Sequence, residues 1–115
     1  MSIYPIVLTG PIRAVVIGGG QVAERKVNGL LQAGADITVI SPRLSPTLGQ
    51  LAQQGRIRVV SRSYLPGDLA EARLAISATD DPEVNGAVWQ EASQRGCLVE
   101  QEVREIVNRF GNETV

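Results

Sequence analysis

Apolar positions fall into short continuous runs, separated by helix-length stretches that carry a periodic apolar face. Ala14, Val15, Val16 and Ile17 are continuous, as in a parallel strand covered on both faces, and a strand is predicted over Arg13 to Ile17. From Gln21 to Ala33 the residues Val22, Ala23, Val27, Leu30 and Leu31 recur close to helical spacing, and Gly34 supplies a stop. Ile37, Val39 and Ile40 mark a second strand over Asp36 to Ile40. A second helix is predicted over Leu44 to Gln54, closed by Gly55, with a third strand over Arg56 to Ser61 and a fourth over Leu74 to Ala78. A third helix is predicted over Asp81 to Arg95, with Asp81 as N-cap and Pro82 at the first helical position. Cys97 to Glu100 reads as a fifth strand. Strands alternating with helices of this length imply βαβ units with right-handed crossovers. The expected fold class is therefore α/β: a Rossmann-like open parallel sheet, strand order 3-2-1-4-5, with helices on both faces. Beyond it, Val103, Ile106, Val107 and Phe110 share one helical face, which predicts an amphipathic C-terminal helix over 101–115. That face is expected to pack on the sheet, on a second copy, or on a partner chain.

Composition narrows the chemistry. A length of 115 residues suggests a single domain, 1–115. With 43% apolar and only 3% aromatic residues, the core is built from Val, Ile, Leu and Ala. The net charge of −1 offers no bulk attraction to nucleic acid or to an anionic membrane, so an anionic ligand must be held by local groups. No apolar run reaches the roughly 18 residues of a membrane span. The opening Met1-Ser2-Ile3-Tyr4-Pro5 lacks the basic flank of a secretory signal, so a cytoplasmic location is expected. Cys97 is the single cysteine and there is no histidine. This excludes an internal disulfide, a Cys/His zinc site and histidine-based catalysis within one chain, and no metal site is expected.

The main motif is Gly18-Gly19-Gly20-Gln21-Val22-Ala23, which follows a predicted strand and opens a predicted helix. Gly18, Gly20 and Ala23 fit G-x-G-x-x-A: a tight turn, a close backbone approach to a pyrophosphate, and close packing of helix on strand. The helix N-terminus adds free N–H groups and a partial positive charge. A P-loop is a poor fit, because the Lys-Ser/Thr pair is missing. An acid about 20 residues downstream usually binds the adenosine ribose. Here the second strand runs into Ser41-Pro42-Arg43 instead. Ser41 can bond a ribose and Arg43 can take a 2′-phosphate, so chemistry alone leaves NAD and NADP open. Thr79 and Asp80 end the fourth strand, at the switch point where the nicotinamide half is expected. Asn85 reads as an ordinary polar residue of a first helical turn, and Glu24-Arg25-Lys26 as a solvated helix face.

Several ordered blocks together resemble the precorrin-2 dehydrogenase / sirohydrochlorin ferrochelatase family. They are Tyr4 to Leu8, Gly18 to Lys26, Leu30-Leu31, Ala33-Gly34-Ala35, Ile37 to Pro42, and Ala78 to Asp81 with Asn85. The resemblance implies NAD as hydride acceptor in the oxidation of a tetrapyrrole, precorrin-2, to sirohydrochlorin during sirohaem synthesis. It also implies that Gln21, Val22, Pro42 and Arg43 contact the cofactor beside the glycines, and that Ser-Pro stands where a ribose acid would. Two departures follow. The chain ends at Val115, where the family continues into a dimerisation region and a helical domain. The family's Asp after the fifth strand falls near Val103, with Glu102 adjacent; no catalytic residue is assigned, and ferrochelation is not expected. The alternatives are an NAD(H)-binding module without turnover, acting as sensor or partner subunit, and a holder of another nucleotide such as a flavin.

Overall fold

The computed structural model describes residues 11–101. Gln101, the first residue of the predicted C-terminal helix, ends the fifth strand instead, where it pairs with Ser77; the rest of that helix, 102–115, with Glu102 and Val103, and the opening Tyr4 to Leu8 lie outside the described residues. Five strands form one parallel sheet: β1 (Arg13–Ile17), β2 (Asp36–Ile40), β3 (Arg58–Val60), β4 (Leu74–Ser77) and β5 (Leu98–Gln101). Their order is β3-β2-β1-β4-β5. Register runs Val16 beside Val39 on one side and Ile76 on the other. Among the described residues three helices connect them: α1 (Gln21–Gln32), α2 (Pro46–Gln53) and α3 (Pro82–Arg95).

Alternation along the strands divides the core in two. Val16, Ile37, Val39 and Ile76 point to one face, where Ala23 and Val27 of α1 and Leu48 and Leu51 of α2 cover them. Val15, Ile17, Ile40 and Ala75 point to the other, beneath Val88 and Ala92 of α3 and Tyr64 and Leu69 of the connection from β3 to β4. That connection, residues 61–73, contains no helix; residues 66–71 are successive turns. The order turns back between β1 and β4, so loops from both faces converge on the carboxyl edge there.

Local chemistry explains where the observed ends differ from the expected ones. α1 stops at Gln32, because Gly34 takes φ +79° and Ala35 N–H reaches back to Leu30 carbonyl at 3.0 Å. α2 starts at Pro46 rather than Leu44, because Ser45 Oγ accepts Leu48 N–H at 3.2 Å and Pro46 has no amide to continue the helix backward. Gly55, at φ +74°, follows its end. β3 is only Arg58–Val60, the part that pairs with Thr38 to Ile40. β4 ends at Ser77, although Ala78 N–H still bonds Ile17 carbonyl at 2.8 Å. β5 begins at Leu98, because Cys97 N–H is used by Ala92 carbonyl to close α3. Asp81 caps α3 as expected, accepting Glu83 N–H at 2.9 Å.

Candidate dinucleotide site

A cleft of about 560 Å³ opens at the carboxyl edge of β1, β2 and β4. Gly18, Gly19, Gly20, Gln21 and Val22 form one wall, Ser41 and Pro42 one end, and Thr79, Asp80 and Asp81 the side of β4. Ser63 and Tyr64 of the 61–73 connection complete it.

The three glycines do different work. Gly18 has φ +125°, and a Cβ there would lie 2.6 Å from Ala78 carbonyl oxygen. Gly19 sits against the turn after β2: a Cβ would fall inside the contact distance of Arg43 carbonyl oxygen and 2.8 Å from Ser41 Oγ. Gly20 is the opposite case, since its Cβ would meet no protein atom within 4 Å and it lines the cleft. A side chain there would stand in open space at the cleft lining. Gly20 is also the N-cap of α1, which has no side-chain cap, so the first amides of α1 keep their donors for a ligand. Ala23, at the last motif position, is fully buried and holds α1 against β1 rather than lining the cleft.

The turn after β2 is locked onto this loop. Gly18 N–H bonds Ile40 carbonyl at 3.0 Å, and Ser45 N–H bonds Gly19 carbonyl at 2.8 Å. Ser41 is buried; its hydroxyl donates to Arg43 carbonyl at 2.6 Å and accepts Arg43 N–H at 3.3 Å. The Ser41 proton is therefore committed to its own turn. Arg43 contributes backbone to that turn, while its side chain is exposed and outside the cleft lining.

On the β4 side, Asn85 organises the wall. It is buried, in the first turn of α3. Its Oδ1 accepts the hydroxyls of Ser77 and, at 2.7 Å, of Thr79. Its Nδ2 donates to Thr79 carbonyl at 3.0 Å. Thr79 Oγ1 in turn accepts Asp81 N–H at 3.2 Å. Lys26 is also not a plain solvated residue: its Nζ bonds Glu100 Oε2 at 3.0 Å, tying α1 to β5.

Sequence reading missed Ser63 and Tyr64, because nothing periodic marks the 61–73 connection. The Tyr64 hydroxyl donates to the buried carboxylate of Glu91 on α3. Burial and that carboxylate push the Tyr64 phenol above its ordinary value, so it stays protonated. Burial opposes ionisation of Glu91, but bonds from Tyr64, Arg95, Gly67 N–H and Leu69 N–H outweigh it and hold its pKa below the ordinary 4.5. Asp68 is held below 3.8, mainly by its bond from Arg62, against the opposing effect of burial and with help from Leu65 N–H. Carboxylates with depressed folded pKa values stabilise the fold fully above their unfolded values, and lose that contribution as pH falls through the folded ones. Thermal melts should therefore show a midpoint that is flat near neutrality and falls below about pH 4.5. Glu91→Gln should flatten part of that fall; an unchanged slope would remove Glu91 as a cause. Burial also pushes the Cys97 thiol above its ordinary value, so it is a poor nucleophile.

Among the described residues no group of three or more His, Cys, Asp or Glu is placed to hold a metal ion, and no helix is long and apolar enough to cross a membrane. What the cleft offers is a glycine cradle with uncapped amides on one side and hydroxyl and carboxylate groups on the other. Such a set can hold a ligand with a charged centre.

Comparison with known proteins agrees with this arrangement. The family model described as "Putative NAD(P)-binding" matches residues 9–104. A siroheme synthase of Chromobacterium violaceum is 45% identical over 100 residues, covering 86% of this chain and 21% of that protein. One of Methylobacillus flagellatus is 51% identical over 85 residues, covering 74% of this chain and 18% of that protein. The chain thus spans about a fifth of the length of these curated relatives. Among solved structures, SirC, a precorrin-2 dehydrogenase, superposes with TM-score 0.70 at 34% identity, over 77% of this chain and 43% of that one. Shikimate dehydrogenase from Aquifex aeolicus shares the fold, with TM-score 0.56 at 16% identity over 87% of this chain and 46% of that one. By its glycine cradle, its strand order and these matches, the chain belongs to the family described as putative NAD(P)-binding, and over that domain it is similar to the siroheme synthases and to the precorrin-2 dehydrogenase SirC.

Proposed function

We propose that this chain binds NAD and serves the oxidation of precorrin-2 to sirohydrochlorin in sirohaem biosynthesis, with residues 1–115 acting as one cofactor-binding domain. The observation that carries the reading is Gly20, which lines the cleft with empty space where a Cβ would stand, at the uncapped start of a 12-residue helix. The backbone of Gly18 to Val22 would hold the pyrophosphate. Ser41 and Pro42 would border the adenosine half, and Thr79 and Asp80 the nicotinamide half. When bound, the oxidised nicotinamide supplies a hydride acceptor. The chain's own part is to hold both reactants in register and exclude water. NAD is favoured over NADP because Arg43, the cation that follows Ser41-Pro42, is exposed and does not line the cleft.

A second reading has one specific support: the Asp of the resembled family falls near Val103, where this sequence has no Asp. On that reading the chain binds NAD(H) without turnover and works with a partner. Calorimetric titration with NAD⁺ and with NADP⁺, followed by NADH absorbance with precorrin-2, separates these. Binding with NADH formation supports the dehydrogenase. Binding without it supports the module. No binding of either dinucleotide overturns both.

A further inference from the structure

We infer that Glu91 is a positioning residue for the cofactor cleft: it pins the connection between β3 and β4 so that Tyr64 and Ser63 wall the site opposite the glycine loop. The inference rests on the cofactor reading above, and it names a residue outside the cleft lining on which the cleft's shape depends.

The wall has an unusual support problem. Ser63 and Tyr64 belong to a segment without helix or strand, so no ladder fixes them. Within itself the segment is well braced. Arg62 grips Asp68 through two bonds of 2.8 Å, and Asp68 Oδ2 also accepts Leu65 N–H at 2.8 Å. Asp68 N–H returns to Leu65 carbonyl at 3.1 Å. The result is a closed loop, which docks through Tyr64 and Leu69 in the second core cluster.

To that packing Glu91 adds a polar hold from α3. Its carboxylate takes three donors from this one loop: Tyr64 hydroxyl, Gly67 N–H at 3.1 Å and Leu69 N–H at 3.3 Å. Arg95 Nε, one turn along α3, supplies a fourth at 2.7 Å. The carboxylate sits on the buried face of α3, between Val88 and Ala92, where an apolar residue would pack without desolvating a charge. What an apolar residue cannot do is fix the loop at three points. The Tyr64 hydroxyl is turned toward α3, and the same residue lines the cleft.

The test compares NAD⁺ affinity by calorimetry for the full chain and its variants, below every variant's melting temperature. Glu91→Ala should bind on the order of tenfold more weakly, as expected for a loosened wall. Glu91→Gln should recover part of the loss, since its amide oxygen still accepts from the loop. Tyr64→Ala should weaken binding at least as much as Glu91→Ala. Leu51→Ala, a core truncation in α2 away from the cleft, controls for stability alone and should keep wild-type affinity. Wild-type affinity in folded Glu91→Ala, or an equal loss in Leu51→Ala, overturns the inference while leaving the cofactor reading intact. If Glu91→Ala does not fold, Tyr64→Ala and Glu91→Gln decide: unchanged affinity in both overturns it. Failure of the wild-type chain to bind NAD⁺ overturns the cofactor reading, and this inference with it.

Discussion

Gly20→Ala should leave the protein folded and weaken NAD⁺ binding about 10- to 100-fold, whereas Gly19→Ala should damage the fold itself. The two positions are adjacent and chemically identical, and the contrast comes from what a methyl group would meet. At Gly20 the added Cβ meets no protein atom within 4 Å, and the backbone is extended, at φ −99°. The stability cost is that of alanine for glycine at an N-cap, under about 1 kcal/mol. The methyl group instead occupies the cradle, so one or two charge-assisted bonds from backbone N–H to phosphate lengthen or break. Such bonds contribute about 1.5–3 kcal/mol each, and every 1.4 kcal/mol is roughly tenfold in affinity. At Gly19 the Cβ collides with Arg43 carbonyl oxygen and Ser41 Oγ. Neither yields easily: Ser45 N–H is bonded to Gly19 carbonyl, and Ser41 is held in its own turn. Overpacking against backbone costs about 1–3 kcal/mol, a large share of the stability of a small domain. Urea melts and calorimetric titration on the two variants check this. Equal affinity of Gly20→Ala and wild type would remove the cradle from the dinucleotide site.

Asn85→Ala should destabilise the chain by about 2–4 kcal/mol and weaken NAD⁺ binding as well. Ser77 is wholly buried and donates its hydroxyl to Asn85 Oδ1. Without the amide that hydroxyl is orphaned in the core, and Thr79 loses its links to α3 through both its side chain and its carbonyl. Asn85→Asp separates the contributions, because a carboxylate still accepts both hydroxyls but cannot donate to Thr79 carbonyl. It should fall between wild type and alanine in denaturant midpoint. If Asn85→Ala keeps the wild-type midpoint, the Ser77–Asn85–Thr79 network is not a source of stability.

The elements of this fold were readable because each carries its own local signal. The continuous run Ala14 to Ile17 belongs to a central strand covered on both faces. The spacing of Ala23 and Val27 belongs to a helix with one buried side. Asp81-Pro82 marks a helix start through two independent effects, a side-chain acceptor and a missing amide. Alternation of strand and helix then leaves few topologies, and handedness selects the observed order. The glycine motif was legible for the same reason, since its meaning depends on the strand before it and the helix after it.

The roles inside the cleft depended on distant partners. Gly19 looks like a variable position of the motif until the turn at Arg43 is folded against it. Asn85 looks like any polar residue in a first turn until Ser77 and Thr79 are brought beneath it. Tyr64 and Glu91 stand 27 positions apart, and no period in the 61–73 connection announces either. By itself, then, the sequence determined the strands, the helices, their order and the cradle, because hydrophobic period, caps and turn residues act within a few positions. Only the tertiary structure decided which wall faces the cradle and what holds that wall, because those contacts join segments that meet only after the sheet has turned back between β1 and β4.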